Sequence, residues 1–184
     1  MRYIRVRMLA NDILMSLGET YARVHSDEEL VRAINHVASY VNLTLVRMES
    51  PYVQKEIKVP AKKRGVELPD DFLQVSHFGS DEDRDLTDGR DIDESRHNRY
   101  RLRGDKVYTS HDDVMVYYYH VRPIMTLNDI LELPYFFYLM LVRLIVGYIN
   151  GTITDDGIAS TVAKEIGGLM ADTVVIDRDL PFYV

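Results

Sequence analysis

Side chains able to do chemistry are concentrated between residues 81 and 112. Asp83, Asp85, Thr87 and Glu94 fall at positions one, three, five and twelve of a calcium-binding EF-hand loop, the spacing that sets oxygen ligands around a hard cation. The glycine needed at position six is replaced by Asp88, Gly89 comes one residue late, and no helical pattern flanks the segment. A solvated or partner-contacting loop is therefore the preferred reading, and no metal is assigned. Ser110, His111 and Asp112 carry the letters of a catalytic triad, but neighbouring side chains of an extended backbone point to opposite sides, and a triad is a matter of geometry. His97 lies beside the acids and could serve as a general base, with nothing in view to tune it. Arg103-Gly104-Asp105 matches a cell-adhesion tripeptide, yet it sits between two alternating runs and reads as a hairpin turn. No nucleophile elbow, zinc-protease helix, phosphate loop or dinucleotide fingerprint occurs. The expectation is a protein with no catalytic residues and no cofactor.

These residues belong to a segment of unusual charge. Residues 81–94 hold eight acids and two arginines, a net of −6, and residues 96–106 hold four arginines and one lysine against one aspartate, a net of +4. With so little to bury, residues 79–98 are expected to form a flexible charged loop that meets a partner, with Asp81, Asp83, Asp85, Asp91, Arg96 and Arg99 as its contact residues.

The elements that must carry this loop are legible on both sides of it. Ser26-Asp27-Glu28-Glu29 is a capping box, and Leu30, Ile34, Val37, Val41 and Leu45 continue it as one helical stripe, so a helix is expected from about Asp27 to Met48, closed by Pro51. A shorter helix is expected at about Asn11–Leu17, ended by Gly18, with residues 2–8 as a short strand or its lead-in. The period then changes. Val53–Val59 alternates, Lys62 to Gly65 reads as an exposed turn, and Leu68-Pro69-Asp70-Asp71-Phe72 leads into a strand through Phe78. Strands on either side of Gly104-Asp105 form a hairpin. Val114–Arg122 is apolar on both faces and must be covered on both.

Leu133–Asn150 is the dominant apolar stretch, with Arg143 its only charge. A helix through it leaves no face for water and must be covered by the rest of its chain or by neighbouring subunits. Pro134 suits a first helical position and Asn150-Gly151 a stop. The run is about fifteen residues long and charged, too short to span a bilayer. A last helix starts at Thr154-Asp155-Asp156, with Ile158, Val162, Ile166 and Leu169 in line, and Gly167-Gly168 marks close backbone packing or a fraying end. Residues 174–184, with Pro181 and two aromatics, read as an extended docking tail. Deleting them is expected to release the subunit from its partner without unfolding it.

The fold expected is α+β: a bundle of about four helices with a small antiparallel sheet, a long charged loop and an extended C-terminal tail, arranged as one domain over 1–173 followed by the tail. Twenty-two basic against twenty-nine acidic residues give −7, which argues against an open nucleic-acid surface. The absence of cysteine excludes disulfides and thiolate metal sites. MRYIRVRMLAND has no apolar core of the secretory type, so the cytosol is the default location. Thirteen tyrosines are suited to interfaces, though sheets favour them as well.

The order of these parts resembles the head-to-tail adaptor (connector) proteins of tailed bacteriophages, those of short-tailed phages in particular. The resemblance covers about residues 10–172. It rests on the short helix ending in glycine, Asp27 with Leu30 and Ile34-Asn35, and Leu68-Pro69-Asp70-Asp71-Phe72. It continues through Tyr100, Leu102, Gly104, Val107, Tyr108, Thr109 and Ser110, the tyrosine-rich strand ending at Arg122-Pro123, and Leu133-Pro134 before the apolar helix. The charged loop stands apart as an insertion. The resemblance implies a non-enzymatic virion subunit at the head-tail junction, assembled in the host cytoplasm into a ring of twelve copies beneath the portal. Its implied partners are the portal, tail or nozzle proteins and further copies of itself. Leu180, Pro181, Phe182, Tyr183 and Val184 would bind the portal, and DNA would pass through the channel without specific binding. An acidic lumen would repel that DNA, whereas lysines and arginines would grip its phosphates. The rivals are a neck or tail-completion protein of the same virion region and, from another class, a metal- or carboxylate-dependent hydrolase using Asp83, Asp85, Glu94 and His97.

Overall fold

The computed structural model describes residues 3–18, 26–61, 64–79, 100–109 and 112–178, with backbone alone for 168–178. In chain order the elements are β1 (Tyr3–Arg5), α1 (Val6–Ser16), α2 (Asp27–Arg47), β2 (Gln54–Val59), β3 (Val66–Glu67), β4 (Phe72–Phe78), β5 (Tyr100–Arg103), β6 (Lys106–Thr109), β7 (Asp113–Tyr119), β8 (Ile130–Pro134), α3 (Tyr138–Ile149) and α4 (Asp155–Arg178). They divide into two compact units, residues 1–48 with 121–184 and residues 49–120.

The first unit holds the four helices. Ser26 caps α2 in both directions: its hydroxyl accepts from Glu29 N at 3.3 Å, and its own N–H donates to the Glu29 carboxylate at 2.9 Å. Leu30, Ile34, Val37, Val41 and Leu45 are all buried, as their spacing predicts. They pack with Leu9 and Ile13 of α1, Leu141, Leu144 and Ile145 of α3, and Ile158, Val162 and Ile166 of α4 in one apolar core. Where the chain enters this unit after β7, Asn35 acts as a side-chain strand partner. Its amide donates to Ile124 O and accepts from Ile124 N, both at 2.8 Å, so the returning backbone is satisfied against α2.

The start of the apolar stretch differs from expectation. Ile130–Pro134 is a strand paired antiparallel with β1, Ile4 opposite Leu131 and Arg5 opposite Ile130. Leu131 and Leu133 turn inward on the two-residue period while Ile130 and Glu132 do not, so this segment satisfies a strand before a helix can begin. Pro134 is extended (φ −56°, ψ 139°) and ends the strand, where its missing N–H costs nothing. A 3-10 turn over Tyr135–Phe137 then leads into α3, which runs only Tyr138–Ile149. Among the described residues no helix is long and apolar enough to cross a membrane. At the other end the helix stops where expected. Thr152 N donates to Gly147 O at 2.8 Å and Gly151 N to Tyr148 O at 3.0 Å, the paired bonds of a Schellman cap, with Gly151 at φ +67°.

The second unit is built on strands. β7 lies between β2 and β4, and β6 lies between β3 and β5, all antiparallel. As the central strand, β7 buries residues from both of its faces, from Met115 through Tyr119. Gly104 and Asp105 form the two-residue turn between β5 and β6; a positive φ (+63°) at Gly104 and not at Asp105 is the type II′ pattern.

The expected fold class is therefore corrected in two respects. Among the described residues there are three small antiparallel sheets, the pair β1–β8 and the triplets β2–β7–β4 and β3–β6–β5, where one was expected. Two of the strands responsible, β1 and β3, have three and two residues, too few for a period to show. The extended tail from Val174 is also overturned, because α4 continues through Arg178. No proline occurs between Asp155 and Pro181, and Gly167 and Gly168 cost about 1 kcal/mol each without forbidding a helix already begun. A Cβ placed at Gly167 would meet nothing within 4 Å, so that glycine does not serve a close approach.

Candidate functional site

The residues singled out by sequence for partner contact, Asp81, Asp83, Asp85, Asp91, Arg96 and Arg99 in the loop and Leu180, Pro181, Phe182, Tyr183 and Val184 at the end, lie outside the described residues, as do Thr87, Glu94, His97, Ser110 and His111. Asp112 is described, and its carboxylate accepts from Ala61 N at 2.7 Å, a loop-tying role. Three other constellations emerge.

The first is a polar clasp in the helical unit. His36 and Tyr40 are four residues apart on α2 and so lie on one face. Asp155 opens α4 under a Thr154 cap, the Thr154 carbonyl taking Ile158 N at 2.9 Å. His36 Nε2 lies 2.7 Å from Asp155 Oδ1, and the Tyr40 hydroxyl donates to Oδ2 at 2.8 Å. Tyr148 of α3 stacks on the His36 ring with centroids 4.6 Å apart. Gly147 permits this corner: a Cβ there would lie 2.5 Å from Ile153 Cδ1. The clasp borders an open groove of about 1220 Å³ whose rim includes Arg32, Asp155 and Asp156. Both carboxylate oxygens of Asp155 are occupied, so it is a positioned acceptor rather than an available base. Sequence reading used Asp155 only as a helix start; the available signal was a histidine and a tyrosine at helical spacing on the polar face of α2.

Hydrogen bonds from His36 and then Tyr40 hold the Asp155 carboxyl below the usual carboxylate range, and the bond to Asp155 raises the Tyr40 hydroxyl in turn. Asp129 is lowered likewise by Met125 N and Thr126 N, at 2.7 and 2.9 Å. A carboxyl lowered on folding adds stability above its unfolded pKa of about 3.9, and loses it as pH falls through the folded value. Asp155→Asn is therefore expected to lower the melting temperature at pH 7 and to shrink the further fall between pH 5 and pH 2.5. Thermal melts across that range check it; an unchanged acid limb would refute the clasp's share in it.

The second constellation is a buried ion pair in the strand unit. Asp71, 5% exposed, receives Lys55 Nζ at 2.6 Å and the Tyr117 hydroxyl at 3.1 Å, while Lys55 also lies 4.3 Å from the centroid of the Tyr119 ring. The backbone of the same loop is tied at three points: Leu68 N donates to Asp105 O, Phe72 N to Pro69 O, and Asp71 O accepts from His120 N. Leu68-Pro69-Asp70-Asp71-Phe72 is thus an architectural motif, closing a turn and placing one carboxylate inside.

The third is an apolar surface in the helical unit. Tyr135, Phe136 and Leu139, at the start of the α3 segment, are 38%, 47% and 72% exposed. Leu139 shares its helix face with Arg143, whose guanidinium pairs with Glu165 at 2.6 Å. On α1, Met8 and Met15 are exposed as well, two turns apart on one stripe. Apolar side chains of this size at neighbouring helix positions form a patch that water does not favour.

No protein-family model matches the chain, and no curated protein is detectably similar to it.

Proposed function

We propose that this chain is a structural, non-enzymatic subunit of a phage head-to-tail connector: twelve copies form a ring below the portal, join it to the tail and let DNA pass. The observation that carries this reading is the exposed Phe136 and Leu139 beside Tyr135 at the start of α3. The most apolar segment of the chain keeps one face outward in the isolated subunit, and exposed apolar patches on helices are the usual ground of protein-protein contact. The neighbour taken for this face is the next copy in the ring. The order of motifs from residue 10 to 172 supports the same reading. Within it, Leu180 to Val184 meet the portal, the loop residues from Asp81 to Arg99 meet neighbours or tail proteins, and a net charge of −7 suits a channel that DNA must traverse without adhering.

The test is the native mass of the full chain, alone and after mixing with the portal of the same genome. Rings on the portal, with a mass rising by a multiple of the subunit, are expected. A monomer that ignores the portal overturns the proposal.

A further inference from the structure

Two surfaces on this chain are complementary in charge and different in shape. The first is the groove beside the His36–Asp155 clasp. Its lining brings Glu29, Asp155 and Asp156 together with Arg32, Tyr40 and Tyr148 and with aliphatic side chains of α2 and α3. Aromatic faces together with carboxylates attract guanidinium and ammonium groups. At about 1220 Å³ it exceeds the roughly 300–1,000 Å³ usual for small-molecule pockets, and its open form suits a piece of polypeptide.

The second surface is one face of the β5–β6 hairpin. Arg101 stands opposite Tyr108 and Arg103 opposite Lys106, so the two-residue period puts three cations and a tyrosine on the same side. Glu67 of β3 is opposite Lys106, and Asp105 lies in the turn, yet no ion pair forms with Arg101, Arg103 or Lys106 among the described residues. Arg101 and Arg103 are exposed. Like charges placed directly across a hairpin destabilise it by themselves, so an arrangement of Arg103 beside Lys106 gains its value from an acidic partner.

We infer that the cationic face of the β5–β6 hairpin of one copy docks in the acidic, tyrosine-lined groove of the next copy. A contact between two different surfaces of identical chains is heterologous, and heterologous contacts close into rings when the rotation allows. The inference rests on the connector reading and deepens it by naming a further pair of surfaces, besides the exposed start of α3, through which consecutive copies meet. Arg101 and Arg103 bring guanidinium groups to Asp156 and the tyrosine rings, beside the already clasped Asp155; Arg32 marks the side of the groove they avoid.

Charge reversal on either surface tests this. One variant carries Asp156→Lys and Glu29→Lys, the other Arg101→Glu and Arg103→Glu, and circular dichroism verifies that each is folded. Because Glu29 also belongs to the α2 capping box, Asp156→Lys alone is run as the second groove variant. Sedimentation of wild-type chain at low salt is expected to give assemblies larger than a monomer. Each variant alone should associate at least about tenfold more weakly, and an equimolar mixture should recover most of the wild-type association, since each altered groove then meets an opposite hairpin. Wild-type assembly that persists undiminished in both variants overturns the groove-hairpin contact and leaves the connector reading standing. A wild-type chain that stays monomeric both alone and with the portal overturns both. Variants that assemble normally but lose binding to duplex DNA would assign the hairpin to phosphate and overturn the inference.

Discussion

Asp71→Ala is expected to destabilise the strand unit by about 3 kcal/mol, the cost typical of breaking a buried ion pair from one side. The loss has two parts. Lys55, whose side chain is 28% exposed, keeps its charge over the Tyr119 ring but loses the carboxylate 2.6 Å away. The Tyr117 hydroxyl, on a residue 3% exposed, loses the acceptor at 3.1 Å. Losing one half of a buried hydrogen bond costs about 1–3 kcal/mol, and losing one half of a buried charge pair more. Removing both ends together should be far cheaper: in the double substitution Lys55→Met with Asp71→Leu, no charge is left behind, and the cycle should show a coupling energy above about 1 kcal/mol. Denaturant titration of the four proteins measures this directly. A single Asp71→Ala costing under about 0.5 kcal/mol would mean that water replaces the carboxylate and that the motif acts only through its turn.

The Asp71 example also marks the limit of what the sequence disclosed. Leu68-Pro69-Asp70-Asp71-Phe72 is conspicuous as a phrase, but its partners are sixteen residues before it and forty-six after it, at Lys55 and Tyr117, and no local period connects them. The helices are different. The capping box at Ser26 and the stripe from Leu30 to Leu45 act within a few turns, so the whole of α2 could be read to within one residue of its end. Type II′ geometry at Gly104 was equally local. Failures arose where long-range pairing overrode a local preference. Leu133-Pro134 reads as the head of an apolar helix, yet it closes a strand, Ile130–Pro134, whose partner at Tyr3–Arg5 lies more than a hundred residues earlier. The His36–Asp155 clasp, across 119 residues, gave only the faint signal of polar side chains four apart. In the final segment the error ran the other way: Val174 to Ile176 looked separate because apolar residues crowd a terminus, although nothing in them stops α4.

Leu139→Glu, alone or with Phe136→Ser, is expected to leave the subunit folded and to abolish its assembly. Leu139 is 72% and Phe136 47% accessible, so neither contributes the 2–5 kcal/mol that truncating a core side chain costs, and surface changes ordinarily stay within about 0.5 kcal/mol. In the ring, however, the same side chains would be covered by the adjacent copy. A glutamate buried there without a cation must be desolvated, and Arg143, the nearest charge on that helix face, is already paired with Glu165. Truncating or charging a central apolar contact commonly weakens association by 2 kcal/mol or more, about thirtyfold per subunit contact. Repeated around a closed ring the losses compound, so a modest defect at one interface becomes failure to close. Leu141→Ala, at a fully buried position on the opposite side of α3, is the internal contrast: it should lower the melting temperature and affect assembly only through the loss of folded protein. Melting curves and native mass on the portal separate the two. If Leu139→Glu melts like the parent and still forms rings with undiminished yield, the exposed start of α3 is not a subunit contact, and the reading that depends on it falls.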